Sequence, residues 1–241
     1  MVKFYGGEKM FDFFKKPASA TAIIVAAGNG TRMKSEKSKQ LIEINDIPVI
    51  AHTMLAFENT DIVDEIIVVT RESDILIISD ITKEFGISKV TNIVPGGATR
   101  TDSVKNGIHH AKNTYVAIHD GARPCINPED IEKTIKKAIE TGAAALGYPV
   151  TDTLKKVDEN QIITNTISRE NLWAIQTPQV FEKSLILKAY EEGNTQNATD
   201  DCMLLESIGI KASMVCGSRN NIKITVPEDV DLASAILSKE I

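Results

Sequence analysis

Short apolar runs alternate with amphipathic stretches along most of this 241-residue chain. The apolar runs are of strand length, and their continuous hydrophobicity is typical of strands in a sheet that is covered on both faces. Strands are therefore predicted at residues 22–27, 41–44, 65–70, 89–94, 115–119, 143–150, 212–215 and 221–225. The stretch 172–181 is also expected to return to the core.

Helices are predicted between these strands, because apolar residues there recur every three or four positions. Four helices are predicted over residues 73–85, 102–111, 127–142 and 197–208. Two more are predicted to begin at residues 46–48 and 227–229. The helix that starts at Asn127 has the clearest end signals. Asn127 suits the N-cap, Pro128 suits the first helical position, and Gly142 suits the end.

The alternation of strands and helices predicts βαβ units. We therefore expect an α/β, Rossmann-like fold with a mostly parallel sheet and helices on both faces. Ligands of such folds lie beyond the carboxyl ends of the strands, so the loops after Ala27, Val94, His119 and Val150 should share one edge of the sheet. Residues 21–241 are expected to form one domain, preceded by an N-terminal extension, residues 1–20, that packs loosely or frays.

Residues 151–170 interrupt this rhythm. Two strand-like segments, 154–157 and 162–167, flank the turn Asp158-Glu159-Asn160 and predict a β-hairpin inserted in the α/β domain. An isolated hairpin is marginal in water and needs a surface to pack on. The pattern leaves two interpretations open: a flap lying on its own domain, or a dimerisation arm that reaches a second subunit.

Charge and composition narrow the possible partners. The formal net charge is −6, and a protein that coats nucleic acid or a membrane would normally be basic, so neither partner is expected. No apolar run approaches the ~20 residues that span a membrane. The three cysteines are scattered, which is typical of thiols in a cytoplasmic protein. A local basic site on an acidic protein fits a small phosphorylated substrate.

The first predicted strand ends in a candidate anion site. The residues that follow it are Gly28-Asn29-Gly30 and then four cations, Arg32, Lys34, Lys37 and Lys39. Glycines let backbone N–H groups approach phosphate oxygens, and the cations neutralise their charge. The turn is neither a P-loop nor a dinucleotide fingerprint, because Met33 stands where the latter needs its third glycine. An ordinary turn with a solvated basic stretch is the alternative at this point.

A second candidate lies at the end of the strand predicted at 115–119. Asp120 ends this strand and precedes a glycine, where a carboxylate could hold Mg²⁺ together with substrate phosphates. A turn or capping role is the alternative for Asp120. The neighbouring His119 is expected to be structural. Arg123 could bind phosphate or pair with Asp120, and we favour the pairing.

Several short segments together resemble a known family. Ala26-Ala27-Gly28-Asn29-Gly30-Thr31-Arg32-Met33, followed by Lys39-Gln40, resembles the nucleotide loop of the sugar-nucleotidyltransferase superfamily. Four further segments narrow the resemblance to the 2-C-methyl-D-erythritol 4-phosphate cytidylyltransferases of the non-mevalonate isoprenoid pathway. They are Gly96-Gly97-x-x-Arg100-x-x-Ser103-Val104, His119-Asp120-x-Ala122-Arg123-Pro124, Gln176-Thr177-Pro178-Gln179 and Asn221-Ile222-Lys223. The similarity runs from about Thr21 to the C-terminus.

The resemblance implies an enzyme that joins CTP and 2-C-methyl-D-erythritol 4-phosphate and releases pyrophosphate, with Mg²⁺ or another divalent cation as cofactor. It implies that Arg32, Lys39 and Lys223 are catalytic and neutralise phosphate charge, and that Asp120 is a metal ligand. The residues that it implies for CTP binding are Ala26, Ala27, Gly28, Gly30, Gly97 and Ser103. Ala98 departs from relatives that carry an acidic residue there, so base selectivity would depend more on the backbone.

The resemblance also implies that the hairpin is an arm swapped across a homodimer. Thr153 and Arg169 would then contact the methylerythritol phosphate in the partner's site, with Thr177 nearby. Arginine is well suited to bidentate phosphate binding. Without the resemblance, we would expect Arg169 to be a surface residue paired with Glu170.

Three other functions stay open. A ribitol 5-phosphate cytidylyltransferase shares the fold and many of the motifs. A non-catalytic nucleotide-binding module would not need Arg32, Lys39, Asp120 and Lys223, all of which are present. A dinucleotide oxidoreductase is disfavoured, because the third glycine of its fingerprint is missing.

Overall fold

The protein is described by a computed structural model covering residues 18–28, 38–194 and 198–239. The strands in this part of the chain are β1 (Ala20–Val25), β2 (Glu43–Ile44), β3 (Ile47–Pro48), β4 (Val63–Thr70), β5 (Val90–Pro95), β6 (Tyr115–Asp120), β7 (Ala143–Pro149), β8 (Leu154–Val157), β9 (Ile163–Ile167), β10 (Trp173–Glu182) and β11 (Ser213–Cys216). The helices are α1 (Val49–Glu58), α2 (Ile75–Glu84), α3 (Arg100–His110), α4 (Pro128–Thr141), α5 (Lys183–Glu192), α6 (Asp201–Ser207) and α7 (Glu228–Leu237).

One seven-stranded sheet forms the centre of the fold, in the order β5-β4-β1-β6-β10-β7-β11. Neighbouring strands pair in parallel, except that β10 is antiparallel to both β6 and β7. The predicted Rossmann-like fold with a mostly parallel sheet is therefore confirmed. The chain builds outward from β1 in both directions, first through β4 and β5 and then through β6. Such a reversal of strand order opens a crevice at the carboxyl end of the first strand.

Helices cover both faces of this sheet, as predicted. In β1, Ala22 and Ile24 pack with residues of α1 and α4 in one hydrophobic cluster. Ile23 points to the opposite face and packs with residues of α3 and α5 in a second cluster. All three side chains are fully buried, which explains why the strand reads as a continuous apolar run. None of the helices in the described residues is both long enough and apolar enough to cross a membrane.

Some predicted elements differ from the structure. The strand predicted at 221–225 is wrong: these residues have no regular secondary structure, because their backbone bonds to loops instead of a neighbouring strand. The strand predicted at 41–44 is reduced to β2, which pairs with β3 before α1 begins. The helix predicted at 197–208 starts at Asp201, where the Asp200 side chain accepts the N-cap hydrogen bond from Met203. The first residue of that prediction lies outside the described part of the chain.

The inserted hairpin is present. Strands β8 and β9 pair in antiparallel fashion and form a sheet separate from the central one. Residues 155–170 are all exposed, and Ile162 and Ile163 are exposed by 63% and 61%. A flap packed on its own domain would bury one face, and this hairpin buries neither face against the described residues.

A buried polar network joins β1, β4 and β5 at the edge of the sheet away from the crevice. The Glu65 carboxylate accepts hydrogen bonds from Thr21 Oγ1 at 2.7 Å, Thr91 Oγ1 at 3.0 Å and the Lys112 N–H at 2.9 Å. Burial raises the pKa of Glu65, but these hydrogen bonds together bring it below its ordinary value. Glu65 is therefore ionised at neutral pH and stabilises the folded chain.

Glu65→Gln is expected to lower the free energy of unfolding at pH 7 by about 1–3 kcal/mol, because it leaves buried groups imperfectly paired. The folded-state pKa of Glu65 lies below its unfolded value. Its contribution is therefore present above the unfolded pKa and is lost as pH falls through the folded pKa. Urea unfolding should show the difference from wild type shrinking on acidification. Glu140→Gln, at an exposed residue of α4, is the control, with a change below about 0.5 kcal/mol. Equal effects of the two substitutions would contradict this account.

Candidate active site

A cleft of about 340 Å³ opens at the carboxyl ends of β1 and β6. It lies where the strand order reverses beside β1. Its lining comes from distant parts of the chain: Val25, Ala27, Gly28, Lys39, Gln40, Gly97, Ala98, Thr99, Arg100, Ser103, Asp120, Ala122 and Lys223. The loops after β1, β5 and β6 line this cleft, and β7 runs in the same direction as β6, so the loop after Val150 begins at the same edge. The prediction that these four loops share one edge of the sheet is confirmed.

The residues that follow β1 build one wall of the cleft. Ala27 and Gly28 line it. Ala26 is buried behind them, and its N–H donates to the Val69 carbonyl at 2.7 Å. This N–H holds β1 to β4 and is not available to a nucleotide. Two other residues predicted for the site, Gly30 and Arg32, lie outside the described residues.

The loop between β5 and α3 builds the opposite wall. A Cβ on Gly96 would come within 2.3 Å of the Ala27 Cβ, so glycine is needed for the two walls to approach this closely. Ser103 Oγ accepts a hydrogen bond from the Gly97 N–H at 3.0 Å and donates to the Thr99 carbonyl at 2.9 Å. Gly97 and Ser103 both line the cleft, and the serine hydroxyl also fixes the shape of the loop.

Asp120 places a carboxylate in the cleft, surrounded by cations. Its Oδ2 lies 2.8 Å from Lys223 Nζ and 3.5 Å from Arg123 Nε, and its Oδ1 lies 3.9 Å from Arg100 Nε. Burial raises the pKa of the Asp120 carboxyl, but Lys223 and Arg100 hold it well below its usual range. Asp120 is therefore ionised at neutral pH. The predicted pairing of Arg123 with Asp120 is confirmed.

Residues 217–224, here termed the C-terminal strap, carry Lys223 into the cleft. The Asn221 carbonyl accepts from Arg123 Nη1 at 2.7 Å, and Asn221 Nδ2 donates to the Thr177 carbonyl at 2.9 Å. At the end of the strap, the Ile224 N–H donates to the Ala122 carbonyl at 2.8 Å. These bonds order the strap without a strand and hold Lys223 against Asp120.

Lys39 reaches the strap from the other side of the cleft. It begins a short 3₁₀ turn, Lys39–Leu41, and its Nζ donates to the Ile224 carbonyl at 3.0 Å. Two of the predicted catalytic cations, Lys39 and Lys223, are thus brought together although they are far apart in sequence. The third, Arg32, and the cations Lys34 and Lys37 lie outside the described residues.

A buried layer supports Asp120 from below. Thr177 Oγ1 accepts from the Asp120 N–H at 3.1 Å and lies 3.1 Å from His119 Nδ1. The His119 ring is fully buried and meets the Phe57 ring edge-on at 5.0 Å between centroids. Burial lowers the pKa of His119 to about 3, although Asp120 opposes the shift. His119 is therefore neutral and structural, as expected, and Thr177 lies directly against Asp120.

Arg100 is a further cation of the site, and no role was assigned to it from the sequence. Its Nη2 donates to Asp201 Oδ2 at 2.8 Å, and Asp201 Oδ1 accepts from the Tyr190 hydroxyl at 2.7 Å. Burial lowers the pKa of Arg100, but Asp201 and then Asp120 raise it above its ordinary value. Arg100 could have been predicted as a site residue, because it closely follows Gly96 and Gly97 in a loop assigned to the site. Nothing in the sequence indicated Asp201, which lies 101 positions later.

The two residues predicted for the neighbouring site lie on the hairpin. Thr153 and Arg169 are exposed and stand apart from the lining of the cleft. The Arg169 guanidinium donates to the Thr151 carbonyl. Within the described part of the chain Arg169 makes no ion pair, so the alternative pairing with Glu170 is not seen.

The donor set of the cleft limits how a metal ion could bind. Among the described residues, no group of three or more His, Cys, Asp or Glu side chains is arranged to hold one. Asp120 could supply one oxygen ligand, and Mg²⁺ commonly takes one or two carboxylates and fills its shell with phosphate oxygens and water. The residues therefore fit a cation bound together with a phosphorylated substrate.

Comparison with known proteins identifies the family. The family model described as 2-C-methyl-D-erythritol 4-phosphate cytidylyltransferase (IspD) matches residues 20–239. The chain belongs to this family. Proteins of that name from Alkaliphilus oremlandii and Clostridium botulinum are each 43% identical to it over 91% of the chain, and the matches cover 95% and 97% of those proteins.

Solved structures of cytidylyltransferases share the fold. The crystal structure of 4-diphosphocytidyl-2C-methyl-D-erythritol synthase from Anaerococcus prevotii matches with a TM-score of 0.80 and 33% identity, over 92% of this chain and 96% of that one. The enzyme from Thermus thermophilus matches with a TM-score of 0.74 and 26% identity, over 91% and 99%. The family resemblance inferred from short motifs is confirmed. The chain is therefore an enzyme of the nucleotidyltransferase class.

Proposed function

We propose that the chain transfers the cytidylyl group of CTP to 2-C-methyl-D-erythritol 4-phosphate. An oxygen of the substrate phosphate attacks the α-phosphorus of CTP in line. The bond from the α-phosphorus to the bridging oxygen breaks, and that oxygen leaves with pyrophosphate. The product is 4-diphosphocytidyl-2-C-methyl-D-erythritol, a precursor in non-mevalonate isoprenoid synthesis. The protein forms no covalent bond to substrate and contributes positioning and charge stabilisation.

The convergence of cations on one cleft carries this proposal. Lys39, Arg100 and Lys223 all line the cleft at the carboxyl end of β1. Arg100 is held by Asp201, and Lys223 by Asp120, so both charges are in place before substrate arrives. Preorganised cations stabilise the charge that develops as pyrophosphate leaves. We assign Lys39 and Lys223 to catalysis on these grounds, and Arg32 on its place in the family motif.

We propose that the cytosine lies between the two walls of the cleft. Gly97 and Ser103 would line the base on one side and Ala27 on the other, with Gly28 and Gly30 beside the triphosphate. The close approach of Gly96 to Ala27 supports a narrow pocket, which fits a pyrimidine better than a purine. Ala98 lines the cleft and offers the base no charged or hydrogen-bonding side chain, so base recognition would depend more on backbone groups.

We propose a homodimer in which residues 151–170 form an arm that reaches the site of the other subunit, while residues 21–241 make up the catalytic domain. The exposure of both faces of the hairpin supports a partner surface, because an isolated two-stranded hairpin is marginal in water. Thr153 and Arg169 would bind the methylerythritol phosphate there. Arginine matches phosphate with two parallel hydrogen bonds.

We also propose a cytoplasmic location. Cys125 and Cys202 are buried thiols and Cys216 is an exposed one. Exposed thiols persist in reducing compartments, which supports this assignment.

Turnover of CTP with two polyol phosphates tests the proposed function. Pyrophosphate release should require both CTP and an acceptor, and kcat/KM should be higher for 2-C-methyl-D-erythritol 4-phosphate than for ribitol 5-phosphate. A clear preference for ribitol 5-phosphate would overturn the substrate assignment. Pyrophosphate release without any acceptor would overturn the transfer reaction itself.

We propose that Asp120 holds Mg²⁺, or another divalent cation, together with the phosphates of CTP. When bound, the cation supplies further neutralisation of phosphate charge. Lys223 Nζ lies 2.8 Å from Asp120 Oδ2 and pairs with it. Arg100 Nε lies 3.9 Å from Asp120 Oδ1, which is beyond hydrogen-bond distance. Oδ1 is therefore the oxygen best placed to accept a cation.

Excess chelator is expected to abolish turnover, and added Mg²⁺ should restore it. Asp120→Asn keeps the size of the side chain and removes its charge, so the Mg²⁺ concentration for half-maximal activity should rise by at least about tenfold. Pyrophosphate release measured across a Mg²⁺ titration checks this. Asp80→Asn, at an exposed residue of α2, is the matched control. Activity that persists in excess chelator would refute the metal requirement.

A further inference from the structure

Arg219 holds the base of the hairpin arm, and neither the motifs nor the proposed reaction gives it a role. Its Nη2 donates to the Pro149 carbonyl at 3.2 Å and to Thr151 Oγ1 at 2.7 Å. Its guanidinium carbon lies 5.0 Å from the centroid of the Tyr148 ring, within the range of a cation–π contact. Arg219 therefore fixes the chain where the arm leaves β7.

Thr151 connects Arg219 to Arg169. Arg219 binds the Thr151 hydroxyl, and the Arg169 guanidinium donates to the Thr151 carbonyl. The two ends of the arm are also joined next to Thr151, where the Val150 N–H donates to the Leu172 carbonyl at 2.9 Å. Two guanidinium groups thus converge on one exposed threonine, and its position sets the position of Arg169.

The rest of the C-terminal strap is tied to the subunit's own cleft. Gln176 Nε2 donates to the Ser218 carbonyl at 3.0 Å, and the Gly217 N–H donates to the Gly147 carbonyl at 2.8 Å. Four residues beyond Arg219, Lys223 contacts Asp120. Arg219 is thus the residue through which the strap, anchored at its own cleft, reaches the arm.

We propose that Arg219 is a positioning residue that orients Arg169, through Thr151, toward the methylerythritol phosphate bound by the neighbouring subunit. The inference rests on the proposed homodimer with an exchanged arm. Arg169 is long and exposed, so it would lose much rotamer freedom on binding the phosphate. Fixing its position before binding reduces that entropy loss. Removing Arg219 therefore weakens polyol-phosphate binding in the neighbouring site and leaves CTP binding unchanged.

Steady-state kinetics give the first test. Arg219→Ala is expected to raise the KM for 2-C-methyl-D-erythritol 4-phosphate by about tenfold, the effect of losing a hydrogen bond made by a charged group. The KM for CTP should stay at the wild-type value. Thr151→Val, which removes the hydroxyl and keeps the shape, should reproduce the change. Lys211→Ala removes the same charge from an exposed site before β11 and should have no effect.

Heterodimers separate positioning of the arm from a structural effect on the subunit's own cleft. A Lys39→Ala chain paired with an Arg169→Ala chain has one intact site, whose arm comes from the Lys39→Ala chain. Adding Arg219→Ala to that chain should give the tenfold KM increase, and adding it to the Arg169→Ala chain should give none. Equal effects of the two placements, or a raised KM for CTP, would overturn the inference. An inactive parent heterodimer would instead overturn the exchanged arm, and the inference with it.

Discussion

Replacing Lys223 with alanine is expected to lower kcat by about 10²- to 10³-fold, the usual effect of removing one preorganised group that stabilises transition-state charge. Its Nζ is held 2.8 Å from Asp120, so the charge is in place before substrate binds. The strap that carries it is fixed by Arg123 and Thr177. Turnover at saturating CTP and 2-C-methyl-D-erythritol 4-phosphate measures the loss.

The side chain of Lys223 is 40% exposed, so the substitution should leave thermal unfolding near that of the wild type. Lys188→Ala is the matched control, because Lys188 is an exposed lysine of α5 that pairs with Glu192 at 3.8 Å. Its kcat should equal that of the wild type. A kcat for Lys223→Ala within about threefold of wild type would contradict the proposed role.

Mixing two inactive variants is expected to restore activity. Lys39→Ala removes a cation from the cleft, and Arg169→Ala removes the proposed phosphate contact of the arm, so each homodimer should be nearly inactive. If the arm is exchanged, each heterodimer contains one intact site. With random pairing, half of the dimers are heterodimers and one of their two sites works, which gives about a quarter of wild-type turnover.

The control for this experiment pairs Lys39→Ala with a chain that carries both substitutions. No site then has Lys39, so no activity should return. If Arg169 acted within its own chain, the first mixture would also stay inactive, and that result would contradict the exchanged arm.

The sequence was most informative where chemistry and backbone requirements coincide. The apolar run of β1, the glycines after it and the position of Asp120 at the end of β6 located the cleft correctly. The pairing of Asp120 with Arg123 was also predictable, since the two residues are three positions apart in one loop. Short spacings constrain geometry directly, so such contacts can be read from a single sequence.

Contacts between distant segments could not be predicted in this way. Hydrophobic periodicity predicts which residues are buried, but it does not predict which polar side chains contact each other. The role of Asp201 depends on Arg100, 101 positions away, and that of Arg219 on Thr151, 68 positions away. The apolar residues in 221–225 predicted a strand. Ile224 is indeed buried, but it packs beneath α7, and its backbone N–H donates to a loop carbonyl instead of a neighbouring strand.

A crystal structure with CTP, 2-C-methyl-D-erythritol 4-phosphate and a divalent cation would show whether the cleft binds the nucleotide and whether the arm of the other subunit binds the polyol phosphate. The triphosphate should lie beside Lys39 and Lys223, with the base between Ala27 and Gly97. Arg169 of the partner subunit should contact the phosphate of the polyol. A nucleotide bound outside this cleft, or a polyol phosphate held by Arg169 of the same chain, would contradict the account.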